Sequence, residues 1–220
     1  MNASLNQEII EIYRKRAQNY DITANLYYLL GYREWAYRQT AVDALHLQPG
    51  DTVIEIACGT GLNFSLYQEA IGPQGKIIGL DLTDAMLTQA RQRIQGNGWE
   101  NVELVHTDAR NYAFPTGVNA IISTYALSLI PESDQILEKG VNALTSGGRL
   151  ALLELQVPEK WPDWLVNTGI WLIKPFAVTD EWLARRPWES IQKTMREQLV
   201  DVSMTEMYQG LTYVIAGSKS

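Results

Sequence analysis

The stretch Val53-Ile54-Glu55-Ile56-Ala57-Cys58-Gly59-Thr60-Gly61-Leu62-Asn63 limits what this chain can fold into more than any other. A short apolar run passes straight into a glycine turn, and helical spacing follows to Ile71. Glycine permits positive φ and brings no Cβ against a ligand. A helix N-terminus adds unpaired N–H groups and the positive end of a dipole. A strand–bend–helix of this kind can hold a phosphate or a carboxylate.

The rest of the chain repeats the alternation. After the turn Gln48-Pro49-Gly50-Asp51, strands are predicted at Thr52 to Ala57, Lys76 to Leu80, Val102 to Thr107, Val118 to Thr124 and Arg149 to Leu155. Helices are predicted from Gly59 to Ile71, from a Thr83 cap to about Gln95, and from near Pro131 and Glu132 until Gly147-Gly148 breaks the run. Two last strands are expected near Leu199 to Tyr208 and Leu211 to Gly217. The first 47 residues read as helical: Ile9, Ile12, Tyr13 and Tyr20 share a face, and Trp35, Val42 and Leu45 mark a second helix. Short apolar strands alternating with helices imply an α/β fold with a mainly parallel sheet covered on both faces, which binds ligands at the carboxyl ends of its strands.

Asp81, at the end of the second predicted strand and twenty residues after Gly61, narrows the ligand. A carboxylate there can accept from both ribose hydroxyls of an adenosine. A dinucleotide site needs G-x-G-x-x-G, so that the backbone can approach a pyrophosphate. Here Ala57 and Phe64 occupy two of those glycine positions.

The net charge of −7 disfavours a nucleic-acid surface. Arg14-Lys15-Arg16 and Arg185-Arg186 read as solvated helix faces or as local contacts to anionic headgroups. The only cysteine is Cys58, so no internal disulfide can form, and with His46 and His106 the only histidines no zinc cluster is expected. His106 reads as a structural residue at a strand end. No run reaches a membrane span, so the chain reads as cytoplasmic, with peripheral membrane contact left open.

EIACGTG, then GLDLTDAML, VHTDARNYAFP, STYAL and TSGGRLALLEL together resemble the motif series of class I S-adenosylmethionine-dependent methyltransferases, nearest to the ubiquinone/menaquinone biosynthesis methyltransferases. The resemblance covers roughly residues 13 to 155 and departs at Ala57, where the family usually has glycine. It implies a Rossmann-like fold with a seven-stranded sheet and an N-terminal helical lid. It also implies S-adenosyl-L-methionine as cofactor. Glu55 then corresponds to the acidic residue that orders the loop. Ala57, Cys58, Gly59, Thr60 and Gly61 form the bend that cradles the methionine part, and Asn63 touches the carboxylate region or caps a helix. Asp81 is the ribose ligand, with Leu82 and Met86 near the adenine. Asp108 and Ala109 meet the adenine amino group and ring edge, and Thr124, with Tyr125 beside it, lies close to the methionine moiety.

The segment IYRKRAQNYDITANLYYLLG is also similar to soluble bacterial enzymes that methylate lipid amines. Methyl transfer from a sulfonium is an in-line displacement that asks the protein to align and desolvate. No metal or nucleophilic side chain is required. Six of the eleven tyrosines fall in the first 37 residues. Tyr13 and Tyr20 share a face that either packs on the sheet or forms a lid, with Tyr20 nearest the methyl group. Residues 158 to 190 hold five of the seven tryptophans, including Trp161, Trp164 and Trp171, and read as core packing, an acyl or prenyl pocket, or a membrane anchor. One domain is expected over 1–220: a lid over 1–47, a cofactor-binding core over 48–157, and a substrate cover with the last strands over 158–220. The acceptor is a small molecule or lipid. Amine N-methylation leads, quinone-type C-methylation is the alternative, and an NAD-dependent oxidoreductase or a non-catalytic cofactor-binding module stands outside that class.

Overall fold

The computed structural model of the chain describes residues 10–15, 17, 31–158, 161–162 and 179–220. Seven strands form one sheet in the order β3-β2-β1-β4-β5-β7-β6. They are β1 (Thr52–Ile56), β2 (Lys76–Asp81), β3 (Val102–His106), β4 (Val118–Thr124), β5 (Leu144–Leu155), β6 (Val200–Met207) and β7 (Thr212–Ser218). β1 to β5 pair in parallel, while β7 runs antiparallel to β5 and to β6. Among the described residues, the helices include α1 (Glu34–Asp43), α2 (Phe64–Ile71), α3 (Asp84–Asn97), α4 (Ser133–Ala143), α5 (Asp180–Arg185) and α6 (Pro187–Gln198), and residues 10–15 are helical as well. The Rossmann-like expectation holds.

Side chains alternate across each strand, so the sheet divides its apolar residues between two cores. Val53, Ile77, Ala120, Ile122, Ala151 and Leu153 face α1, α2 and α3. Ile54, Ile56, Ile78, Leu80, Ile121, Leu150 and Leu152 face α4, α5 and α6. Truncating a fully buried residue such as Ile54 or Ile121 would cost about 2–5 kcal/mol. The same alternation puts two carboxyls inside: Glu55 on the α1–α2 side and Glu154 on the α5–α6 side, at 1% and 0% exposure.

Several local expectations are corrected. The helix after the bend begins at Phe64, not Gly59. Gly59 and Gly61 sit at φ +56 and +73, outside the right-handed helical region. A Cβ on Gly61 would lie 2.6 Å from the Phe64 ring, so the bend and the helix start are packed as one piece. Thr83 and Asn63 occupy N-cap positions but make no side-chain cap bond. α4 stops at Ala143, and Gly147-Gly148 lies inside β5, where the pairing slips between Val118↔Leu144 and Ala120↔Arg149. Gly147 takes φ +76 there, so the glycines bend a strand rather than end a helix.

Residues 180–198, read from the sequence as part of a tryptophan-rich cover, form α5 and α6. Trp182 and Trp188 meet at 4.9 Å between ring centroids and are buried in the core beside Ile191 and Met195. Trp164 and Trp171 lie outside the described residues, as does Tyr20. Among the described residues no helix is long and apolar enough to cross a membrane.

Candidate active site

The sheet order turns at β1, whose neighbours are β2 and β4. Ligands in such sheets bind outside the carboxyl ends of the strands at this switch point. A cleft lies there, lined by Ala57 and Gly59 of the bend, Asp81 and Leu82 at the end of β2, Met86 of α3, Asp108 and Ala109 after β3, and Thr124 and Tyr125 at the end of β4. Tyr13 also lines it. The Tyr13 segment is tied down by Arg14, whose Nε and Nη2 donate to the Asp84 carboxylate at 2.9 and 3.2 Å.

Asp81 joins the two halves of the expected nucleoside site. Its Oδ2 accepts the Gly59 amide at 2.8 Å, and its Oδ1 accepts the Thr83 amide at 2.8 Å. Burial raises the Asp81 pKa, and those two amides work against the shift. The Thr83 side chain also hydrogen-bonds this carboxylate, which still lines the cleft. Open space stands where a Cβ on Gly59 would point. Leu82, Met86 and Ala109 offer an apolar slot next to the Asp108 carboxylate. The donor set therefore fits an adenosine with its ribose on Asp81.

The bend differs from a simple cradle of free amides. Cys58 N donates to Leu80 O, Gly59 N to Asp81, and Gly61 N to Cys58 O. The bend offers the cleft the bare face of Gly59 and the backbone of Ala57. Ala57 takes φ +57, the left-handed conformation that a glycine would adopt without a steric cost.

Glu55, Asn63, Cys58, Thr60 and Gly61 lie behind the wall rather than on it. Asn63 is fully buried; its Nδ2 donates to Glu55 Oε1 and to Thr124 Oγ1. The Tyr67 hydroxyl faces the same carboxyl. Burial pushes the Glu55 pKa up to about 8, against the opposing effects of Asn63 and Arg38. Arg93 Nε donates to Thr60 O, which fixes the bend from α3. Burial likewise pushes the Cys58 thiol up. His106 Nε2 contacts Leu82 O at 2.9 Å, a structural placement.

Sequence reasoning missed the residues that hold this layer together. Arg38 of α1 is 4% exposed; it donates to Thr124 Oγ1 at 2.8 Å, to Asn63 Oδ1 at 3.2 Å, and twice to Glu34. Its guanidinium also lies 5.4 Å from the centroid of the Tyr125 ring. Tyr32 bonds both Tyr125 and Thr212. On the far wall, Glu154 accepts the Ala126, Leu127 and Ser128 amides and the Ser128 hydroxyl, which fixes the turn that precedes Leu129 and Ile130. Burial pushes the Glu154 pKa up to about 7. In the basic runs, Arg185 donates to Ser128 O, while Arg14 and Arg186 are half-exposed and pair with Asp84 and Glu189.

The profile of the ubiE/COQ5 methyltransferase family matches residues 1–164. A demethylmenaquinone methyltransferase of Listeria monocytogenes is 25% identical over 219 residues, covering 97% of this chain and 91% of that one. A SAM-dependent methyltransferase from Aquifex aeolicus superposes with a TM-score of 0.61 at 15% identity, over 83% of this chain and 89% of its own. The Haemonchus contortus phosphoethanolamine N-methyltransferase 2, solved with S-adenosyl-L-methionine, gives a TM-score of 0.67 at 14% identity over 84% of this chain and 52% of its own. With that family match, the chain belongs to the ubiE/COQ5 methyltransferase family and is an S-adenosylmethionine-dependent methyltransferase.

Proposed function

We propose that the acceptor is an amphipathic quinol-type ring and that the methyl group goes to a ring carbon. The observation that carries this is the character of the wall across the cleft from Asp81 and Asp108. It consists of Tyr125, Ala126, Leu129, Ile130 and Pro131, with the Arg38 guanidinium against the Tyr125 ring. An N-methylated product carries a positive charge and favours a carboxylate or an open aromatic face. The Tyr125 face is instead taken by Arg38, which is buried behind the ring and paired with Glu34. A quinol-type ring suits the remaining apolar surface of Ala126, Leu129, Ile130 and Pro131, and its C-methylated product is neutral. The demethylmenaquinone methyltransferase relatives support this reading.

The amine reading rests on the tyrosine supply and on the resemblance of the segment 12–31, most of which lies outside the described residues. Tyr32, however, packs edge-to-face against Tyr37 and Tyr208 at 5.1 and 5.2 Å, so these rings use their faces on one another. The quinol reading is therefore preferred.

When bound, the cofactor supplies an electrophilic methyl and its own leaving group. The chain's part is placement. Asp81 would hold the ribose hydroxyls, Leu82, Met86 and Ala109 the adenine, and Asp108 its amino edge. Ala57, Gly59 and Thr124 would border the methionine part. Tyr13, Tyr125 and the 126–131 wall would shut water from the line of transfer, which is where an in-line displacement gains most of its rate. Tyr20 keeps its proposed place near the methyl group and lies outside the described residues.

The test is to supply S-adenosylmethionine with a reduced, short-chain demethylnaphthoquinol under anaerobic conditions, in parallel with phosphatidylethanolamine and small amines. Mass spectrometry and NMR should find one new methyl on a ring carbon. Methyl found only on nitrogen overturns the reading.

A further inference from the structure

We propose that Tyr125 is the residue that touches the acceptor, its hydroxyl donating a hydrogen bond to a ring oxygen, with the proton order set by Thr212 and Tyr32. The proposal rests on the quinol reading above and assigns the contact that would carry it.

The argument begins with proton counting. Tyr32 Oη lies 2.8 Å from Tyr125 Oη, as donor, and 2.8 Å from Thr212 Oγ1. A phenol has one proton. Tyr32 gives it to Tyr125, so at the second contact Tyr32 accepts and Thr212 donates. The order therefore runs in one direction, from Thr212 on β7 through Tyr32 to Tyr125. Tyr125 accepts one bond and retains its own proton, for which no acceptor stands among the described residues. Tyr125 also lines the cleft.

The backbone points the same way. Tyr125 follows the last residue of β4 and takes φ +57, a conformation that bulky residues rarely adopt. It is held there by its amide, which donates to Leu153 O at 2.7 Å, and by Arg38 against its ring. Strain of this kind persists where the surroundings over-determine it, and it gathers at functional sites. Burial pushes the Tyr125 hydroxyl well above its ordinary value, so it stays protonated: a donor rather than a base.

A donor in this place suits carbon alkylation. The acceptor hydroxyl ionises to solvent. Its oxygen charge then feeds the ring carbon, which forms a bond to the methyl as the S–CH3 bond breaks and its electron pair stays on sulfur. The oxygen becomes a carbonyl, and the ring carbon loses its own proton to water to restore the aromatic ring. A hydrogen bond to the ring oxygen lowers the pKa of the acceptor hydroxyl and fixes which carbon faces the methyl.

The experiment compares the full-length wild type with Tyr125→Phe, Tyr32→Phe and Thr212→Ser, using a reduced demethylnaphthoquinol and varying pH. For Tyr125→Phe, kcat/KM should fall about ten- to hundredfold. Its acidic limb should also move to higher pH, because the acceptor ionises less readily, while affinity for S-adenosylhomocysteine by calorimetry stays at the wild-type value. Tyr32→Phe should show a smaller loss with the same pH shift, and Thr212→Ser, which keeps the hydroxyl, should restore wild-type behaviour. Should Tyr125→Phe fold poorly, binding of a hydroxynaphthalene and its hydroxyl-free parent to wild type and Tyr32→Phe reads the same contact. Only the hydroxyl compound should weaken, and equal loss for both overturns the proposal. Ring methylation by wild type with an unmoved rate and pH profile in Tyr125→Phe removes the proposal and leaves the quinol reading standing. Parallel loss of turnover and cofactor affinity makes Tyr125 a cofactor wall and also removes it. Methylation of nitrogen alone removes both.

Discussion

Arg38 Nη1 donates to Thr124 Oγ1 at 2.8 Å, so helix α1 is fastened to the end of β4 directly beneath the cleft. The same guanidinium grips Glu34 one turn earlier, with side-chain exposures of 5% and 17% for the pair. Removing one partner of a buried ion pair costs about 3–5 kcal/mol, because the other is left charged without compensation. Arg38→Met should therefore lower stability by roughly that amount in urea unfolding and should weaken S-adenosylmethionine binding through Thr124 and Asn63. Arg38→Lys keeps the charge but cannot reach Glu34 and Thr124 together, so its loss should be smaller. Wild-type stability in Arg38→Met would show that the layer does not depend on this residue.

Asp81 is both a loop clamp and the expected sugar ligand. Asp81→Asn places an amide where one carboxylate oxygen now accepts from Gly59 or Thr83. A donor then faces a donor, a loss of about 1–3 kcal/mol. Calorimetry should show affinity for the cofactor down by about ten- to hundredfold, with a modest fall in melting temperature. A melting loss with unchanged cofactor affinity would confine Asp81 to a structural role.

How far the sequence discloses this arrangement depends on how local each signal is. Asp81 is readable because it ends an apolar strand at a fixed distance from a glycine bend. The strands are readable because turn residues bracket short apolar runs. Arg38 is not: four residues after Glu34, it looks like an ordinary exposed helix pair, and only the tertiary fold carries it under β4. Tyr32 and Thr212 meet across 180 residues, a pairing that no local pattern encodes. Helix α6 carried usable signals that the tryptophan count obscured. Pro187 stands at its first position, and Trp188, Ile191 and Met195 recur at helical spacing on its buried side.

Ala57 offers a gain rather than a loss. An L-residue in the left-handed region costs about 1–2 kcal/mol, and glycine gives back part of this through the greater freedom of the unfolded chain. Ala57→Gly should raise stability by about 0.5–1 kcal/mol without weakening the cofactor. Chemical denaturation and calorimetry check both. A destabilised variant would mean that the Ala57 methyl contributes packing at the cleft that outweighs the relief.

Glu55 supplies a pH signature. Its carboxyl ionises near 4.5 in the unfolded chain, but burial lifts the folded value to about 8. Between those values the folded protein holds a proton that the unfolded chain has released, so raising the pH favours unfolding. The contribution is full below about pH 4.5 and is lost as pH climbs through about 8. Each pKa unit corresponds to about 1.4 kcal/mol, so the full shift corresponds to a loss of up to about 5 kcal/mol from this group. Glu154, raised to about 7 by burial, has the same sign and blurs the wild-type curve. The difference between wild type and Glu55→Gln isolates the first group, since the amide keeps an oxygen for Asn63 and cannot titrate. Denaturation midpoints from pH 5 to 9 should fall more steeply for wild type than for Glu55→Gln. Parallel curves would mean that Glu55 is ionised in the folded protein across the whole range and that Arg38 and Asn63 outweigh its burial.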